Sequence, residues 1–181
     1  MAAGPAHCRS PGLPVRQSVG GRKVSVNDKL SKYRGKRTAA RTPEPVPAEG
    51  AAPSPGNDDT FVIQEHHARR LHWDFRLERD GVLVSWAIPR GLPPDSTDNR
   101  LAVQTEDHPL EYADFEGDIQ RGEYGAGSVK IWDRGTYECE KWTDREVKVV
   151  LHGRRARGRY VLIHTNDGNW LIHRTKKQPG R

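Results

Sequence analysis

At 181 residues, with 34% hydrophobic residues and a mean hydropathy of −0.87, the chain has room for one ordinary domain with a compact core and an appendage. No apolar run approaches membrane-spanning length, and the N-terminal MAAGPAHCRSPG lacks the apolar stretch of a secretory signal. The formal net charge of +6 is uneven: residues 1–55 hold ten Lys and Arg against Asp28, Glu44 and Glu49, a surplus of seven, which leaves the remainder at about −1.

The basic character therefore belongs to the front segment, and basic arms commonly meet nucleic acid or another polyanion. Cys8 and Cys139 sit in unlike contexts. They argue against a disulfide and against a cysteine-rich metal site, which suits a reducing cytoplasm.

Residues 1–29 are rich in Gly, Pro, Ser and Arg without a period, and read as a disordered basic arm. Residues 30–37 predict a short turn of helix, and Thr42-Pro43-Glu44-Pro45 an extended or turn-like stretch. Residues 48–59 read as a linker. From 60 to 176 the chain becomes a series of short strands. The expected strands are 61–66, 71–79 and 82–88, the last two joined across Asp80-Gly81, then 101–105. Residues 107–127 are loop-rich. Strands at 128–132 and 136–141 are expected to pair across a turn at Asp133-Arg134-Gly135. Strands at 146–152, 159–164 and 169–174 complete a meander, the last two meeting across Asn166-Asp167-Gly168. Residues 177–181 read as a tail. The fold expected is mainly β: a compact antiparallel barrel of about eight strands with short flanking helices.

The chemistry concentrates in QEHHARRLHWDFRLERDG, residues 64–81. Leu71, Trp73, Phe75 and Leu77 alternate with His72, Asp74, Arg76 and Glu78, the period of a strand with one apolar and one polar face. His72, Asp74 and Arg76 then point the same way, and Gln64 and His66 share a face of the preceding strand. If the two faces meet, His66, His72 and Asp74 converge as ligands for a divalent metal such as Mn, Fe or Zn. An arginine beside that metal suits phosphate. Arg76, Arg90 and Arg100 fall at or near strand ends and are candidate phosphate ligands. His108, between Glu106-Asp107 and Pro109, is a candidate proton donor or phosphate ligand, and Tyr112 could add a hydroxyl. The spacing alone also allows an Fe(II) oxygenase triad completed by His108 or His164. The Gly122–Gly127 stretch lacks the Gly-Lys-Ser/Thr ending of a nucleotide loop and reads as a structural turn.

Four long motifs, FVIQEHHARRLHWDFRLERDG, SWAIPRG, RLAVQTEDHPLEYADFEG and GEYGAGSVKIWDRGTY, resemble the 3′-phosphoesterase domain of bacterial ligase D, the end-joining ligase. The resemblance covers residues 33–176. It implies a Mn(II)-dependent activity, with other divalent metals as alternatives, that cleans the 3′ ends of DNA or primer-templates. A 3′-terminal ribonucleoside is removed to leave a 3′-phosphate, and that phosphate is removed to leave a 3′-hydroxyl. By position it implies His66, His72 and Asp74 as metal ligands. Arg76 and His108 would contact the scissile phosphate, His108 as general acid, with Tyr112 assisting the phosphomonoesterase step. Gln64, Arg100 and Glu106, and Arg37 and Glu44 of the front segment, match further active-site positions, so residues 33–45 are expected to fold onto the barrel.

The chain departs from the pattern after Lys36-Arg37, where the family usually has an acidic residue and an aromatic and this chain has Thr38 and Ala39. It also shows no ligase or polymerase domain, as expected of a stand-alone member. Such a member implies DNA ends as partner, separate ligase, polymerase and Ku proteins, no membrane, a monomer, and a cytoplasmic, nucleoid-associated location. The rival non-catalytic reading is a DNA-end-binding scaffold, which rests on Thr38.

Overall fold

The computed structural model describes residues 28–49, 51 and 56–179. The arm expected over residues 1–29 lies, apart from residues 28 and 29, outside them. A short helix α1 (Ser31–Gly35) precedes nine strands: β1 (Thr60–His67), β2 (Leu71–Arg79), β3 (Val82–Ile88), β4 (Asn99–Gln104), β5 (Gly117–Ile119), β6 (Gly127–Trp142), β7 (Glu146–His152), β8 (Arg157–Asn166) and β9 (Asn169–Arg174). A 3-10 turn, Leu110–Asp114, lies between β4 and β5. The sheet runs β1-β2-β3-β4-β9-β8-β7-β6, and β6 returns to β1. Every neighbouring pair is antiparallel. Eight strands thus close an antiparallel barrel, as expected, and β5 adds a short strand on the outside of β6.

The period-two pattern sorts the side chains. Phe61, Ile63, Phe75, Leu77, Trp86, Val149, Leu151, Leu162 and Ile172 point inward and form one buried core. Burying each such side chain stabilises the fold by roughly 1.5–3 kcal/mol. The tight turns fall where turn chemistry places them. Asp80 and Gly81 have φ of 50° and 78°, and Asp167 and Gly168 have 44° and 80°. Two successive left-handed residues match the right-handed twist of a hairpin, and Asp-Gly adopts them at low cost.

The turn expected at Asp133-Arg134-Gly135 does not exist. Residues 127–142 form one continuous strand, β6. Asp133 is buried, and its carboxylate accepts hydrogen bonds from the backbone N–H groups of Arg154, Arg155 and Ala156 at 2.7–3.1 Å. Gly135 sits so close to the chain after β7 that a Cβ there would lie 2.4 Å from the His152 carbonyl oxygen. Both residue types mimic turn signals while serving tertiary contacts. At this point β6 changes partner: up to Thr136 it pairs with β1, and from Thr136 onward with β7. That exchange closes the barrel.

The polar face of β2 is also not a solvent face. Asp74, Arg76 and Glu78 are all buried. A second apolar cluster of Leu30, Tyr33, Val82, Leu83 and Tyr112 covers this side of the barrel. Tyr33 of α1 is fully buried and its hydroxyl donates to the Pro45 carbonyl at 2.8 Å, tying both ends of the front segment together. The site therefore lies outside the barrel wall, beneath residues 28–46 and the segment between β4 and β5.

Candidate metal and phosphate site

Strand register brings the three expected ligands together. His66 stands opposite His72, and Gln64 opposite Asp74, across β1 and β2. One ligand atom from each of His66, His72 and Asp74 falls within 4.8 Å of the others. The histidine tautomers follow from their second contacts. His66 Nε2 lies 2.7 Å from the Gly125 carbonyl, and His72 Nδ1 lies 3.0 Å from the Arg70 carbonyl. A carbonyl only accepts, so both nitrogens carry protons. His66 Nδ1 and His72 Nε2 are left as lone pairs, 3.5 and 3.6 Å from the two oxygens of Asp74. Orientation of a ligating imidazole by a carbonyl at its far nitrogen is a recurrent support for metal sites. Two neutral imidazoles and one carboxylate on one side of a cavity suit a divalent ion with open positions. The residues present therefore fit the metal that the sequence implied.

Arg76 is fixed beside them by three contacts. Its Nε donates to Gln64 Oε1 at 2.7 Å, Nη1 to Ser85 Oγ at 2.9 Å, and Nη2 reaches Asp74 Oδ2 at 3.1 Å. Gln64 is itself held by donating to the carbonyls of Tyr112 and Phe115. A guanidinium has five N–H donors, so one on each Nη remains for an oxyanion. Burial disfavours a charged Asp74, yet the Arg76 guanidinium beside it holds its carboxyl well below the usual range.

The opposite wall comes from His108, Arg37, Glu44 and Glu106. His108 is locked to β3 by paired backbone hydrogen bonds with Leu83. Its Nδ1 donates to the Glu106 carbonyl at 2.8 Å, and its Nε2 faces Arg37 Nη2 at 3.5 Å. Arg37 Nε binds Glu44 at 3.0 Å, its Nη1 binds Glu106 at 3.1 Å, and its plane stacks 3.7 Å over the Tyr33 ring. Lys36 binds the other Glu106 oxygen at 3.0 Å. Tyr112, placed by the 3-10 turn, lays its ring 4.8 Å from Arg76 and 4.7 Å from His108. Arg37, Glu44, Glu106, His108 and Tyr112, with Arg76 and the three candidate ligands, line a cavity of about 340 Å³.

Charge decides what the cavity can hold. Arg37, Arg76 and Lys36 face Asp74, Glu44 and Glu106, three against three. These six side chains offer no surplus positive charge to a phosphate. A divalent ion on the histidines and Asp74 would supply it.

Gln64 lies behind Arg76 as its support. Arg100 is engaged elsewhere: its Nε binds Asp98 at 2.7 Å, and Nη1 donates to the carbonyls of Arg90, Gly91 and Leu92. Neither Arg100 nor the exposed Arg90 borders the cavity. His164 stacks against Trp170 on the β8–β9 hairpin, with ring centroids 4.9 Å apart. Thr38 is exposed and caps a turn through its carbonyl, which accepts from Arg41 and Thr42. The reading of residues missed three participants. Gly125 contributes only its carbonyl, which leaves no residue signature. Lys36 and Tyr124 meet each other over 3.0 Å at the cavity rim, and only their aromatic-and-cation pairing hinted at it.

The state of His108 has a consequence for stability. Burial, reinforced by Arg76 and Arg37, pushes its imidazole well below the usual value of 6.5. Below about pH 6.5 the unfolded chain therefore takes up a proton that the folded chain refuses. This share of stability is present above that pH and lost as pH falls. Thermal melts at about pH 7.5 and about pH 5.5 should show a smaller drop in Tm for His108→Asn than for the wild type.

Comparison with known proteins agrees with this geometry. The family model for the DNA ligase D 3′-phosphoesterase domain matches residues 64–164. The chain is 61% identical over 157 residues to the multifunctional non-homologous end joining protein LigD of Mycobacterium bovis, covering 84% of this chain and 20% of that protein. It is 56% identical over 164 residues to the LigD protein of Mycolicibacterium smegmatis, and 42% identical over 165 residues to that of Pseudomonas aeruginosa. Coverage is again 84% of this chain, against 21% and 19% of those proteins. The chain thus spans about a fifth of the length of the curated relatives it matches. With a match running from Gln64 through every expected metal ligand to His164, the chain belongs to the DNA ligase D 3′-phosphoesterase domain family.

Proposed function

We propose that the chain is a metal-dependent phosphoesterase that prepares DNA 3′ ends, with Mn2+ as its metal. It removes a 3′-terminal ribonucleoside to leave a 3′-phosphate, then removes that phosphate to leave a 3′-hydroxyl. The observation that carries this reading is the placement of His66 Nδ1, His72 Nε2 and Asp74 beside the two unspent donor sites of Arg76.

His66, His72 and Asp74 would hold the ion, which supplies charge stabilisation at a phosphoryl oxygen and a bound water of lowered pKa. Arg76 presents its remaining N–H groups to the phosphate in a fork that Gln64 and Ser85 keep from turning. Such preorganised donors act where charge develops in the transition state. Arg37, fixed by Glu44 and Glu106, closes the far side. His108 Nε2 is a lone pair in the free site. An anion between Arg37 and Arg76 offsets the repulsion that keeps the ring neutral, so His108 can hold a proton for the departing oxygen. The Tyr112 ring shields Arg76 and His108 from water. Arg90 and Arg100 are proposed to act only through the turn they share at residues 90–92.

Two histidines and a carboxylate also suit Fe(II). The unspent fork of Arg76 favours a phosphoester over an oxo-acid. A 3′-hydroxyl is what ligases and polymerases consume, so separate ligase, polymerase and Ku proteins are the proposed partners. The protein is proposed to act as a monomer in the cytoplasm at the nucleoid. Among the described residues, no helix is long and apolar enough to cross a membrane.

The test is a labelled primer-template ending in one ribonucleotide, run beside the same primer ending in a 3′-phosphate, each with manganese or with chelator. Stepwise trimming to a 3′-hydroxyl that chelator stops is the expected result. Tight primer binding with neither product would instead assign a DNA-end scaffold.

A further inference from the structure

A second cavity, of about 680 Å³, adjoins the metal and phosphate site. The two share Ala68 and Ile119 as walls. One bank is the β1–β2 turn, with His67 and Arg69. The other runs from Asp118 on β5 through Arg121 and Gly122 to Gly127. The banks meet at Gly127, where φ is +140° and a Cβ would lie 2.3 Å from the His67 carbonyl oxygen. Gly127 therefore lets the floor of the groove close. The same loop, through the Gly125 carbonyl, orients His66. The glycine-rich stretch that reads as a mere turn is thus a shared wall between the ligand set and the groove.

The groove carries unspent positive charge. Arg69 and Arg121 are exposed and make no ion pair or side-chain hydrogen bond among the described residues. This contrasts with Arg37, Arg76, Arg100, Arg134 and Arg159, each of which is tied to a carboxylate. His67 is bonded to Glu65 at 2.6 Å, and Asp118 is the one acidic residue bordering the groove among the described residues. A polymer whose last unit fills the smaller cavity must continue somewhere. The larger one, about twice its volume, lies next to it across Ala68 and Ile119.

We propose that this groove carries the sugar–phosphate backbone of the substrate strand on the 5′ side of the end being processed, with Arg69 and Arg121 as its phosphate ligands. The inference rests on the end-processing reading above. Arginine presents a planar fork to phosphate oxygens, and free arginines lining a cleft are the usual basis of sequence-independent strand binding. Asp118 opposes the backbone and sets a limit on its affinity.

The test measures the affinity of labelled single-stranded DNA ending in a 3′-hydroxyl, which is not turned over, for the wild type and Arg69→Ala/Arg121→Ala. An Arg145→Ala/Lys148→Ala control removes equal charge elsewhere. For a ten-nucleotide strand the groove variant should bind about tenfold more weakly, and its salt slope should fall by roughly 1 to 1.5, as expected for two lost phosphate contacts. The control should bind like the wild type. Shortening the strand to two nucleotides should weaken the wild type and leave the groove variant unchanged. Asp118→Lys, an independent variant, should tighten binding several-fold. Equal loss in groove variant and control, or a difference seen only with duplex and never with the single strand, would overturn the proposal. Weakened binding by the groove variant, with no 3′-end cleavage by the wild type, would keep the strand groove and sink the end-processing reading.

Discussion

Asp74→Asn should lose 3′-end cleavage by on the order of 10³-fold while still folding as a barrel. The amide keeps the shape of the side chain and removes its charge. The carboxylate now sits 3.1 Å from Arg76 Nη2, 3.5 Å from His66 Nδ1 and 3.6 Å from His72 Nε2. Its loss removes one of three ligands and the only anion facing the two histidines within the set. Charge stabilisation by a bound ion is worth several kcal/mol, which at about 1.4 kcal/mol per decade gives the factor stated. Stability should fall as well, by about 3 kcal/mol, because Arg76 is left as a buried cation without its counter-charge. Urea unfolding monitored beside the cleavage assay separates the two effects. A variant that folds and cleaves at the wild-type rate would remove Asp74 from the site.

Arg76→Lys should cost about 10²-fold in turnover, although the charge is retained. The three nitrogens of Arg76 each have a different partner: Gln64, Ser85 and Asp74. A single ammonium cannot reach all three and still face a phosphate. It leaves Gln64 Oε1 without its donor in a fully buried position, at a stability cost of about 2 kcal/mol. The shift should fall mainly on kcat, since the forked donors act on developing charge. A change confined to KM would mean that Arg76 only binds substrate.

Much of this site was legible because it lies on two adjacent strands. The alternation in residues 71–78 places His72, Asp74 and Arg76 on one face without any structure, and a short β1–β2 link puts His66 next to them. Two other features were not legible. Period two says that a face is polar, and it does not say whether that face is solvated. The cluster of Leu30, Tyr33, Leu83 and Tyr112 is what covers this side of the barrel. The strand β6 was split at Asp133-Arg134-Gly135 because turn-forming residues carry the same letters whether they make a turn or receive a neighbouring loop. Arg100 illustrates a third limit. Its motif position points to the site, while its guanidinium holds the carbonyls of residues 90–92.

Metal held by His66, His72 and Asp74 is proposed to be what makes the cavity active. A Mn2+ titration followed by electron paramagnetic resonance, on the wild type and on His72→Ala, run in parallel with 3′-phosphate release, tests it most directly. One tight site is expected in the wild type, half-filled at the metal concentration that half-activates release, with both lost together in His72→Ala. Undiminished Mn2+ binding by His72→Ala, or full phosphate release with the site unfilled, would contradict it.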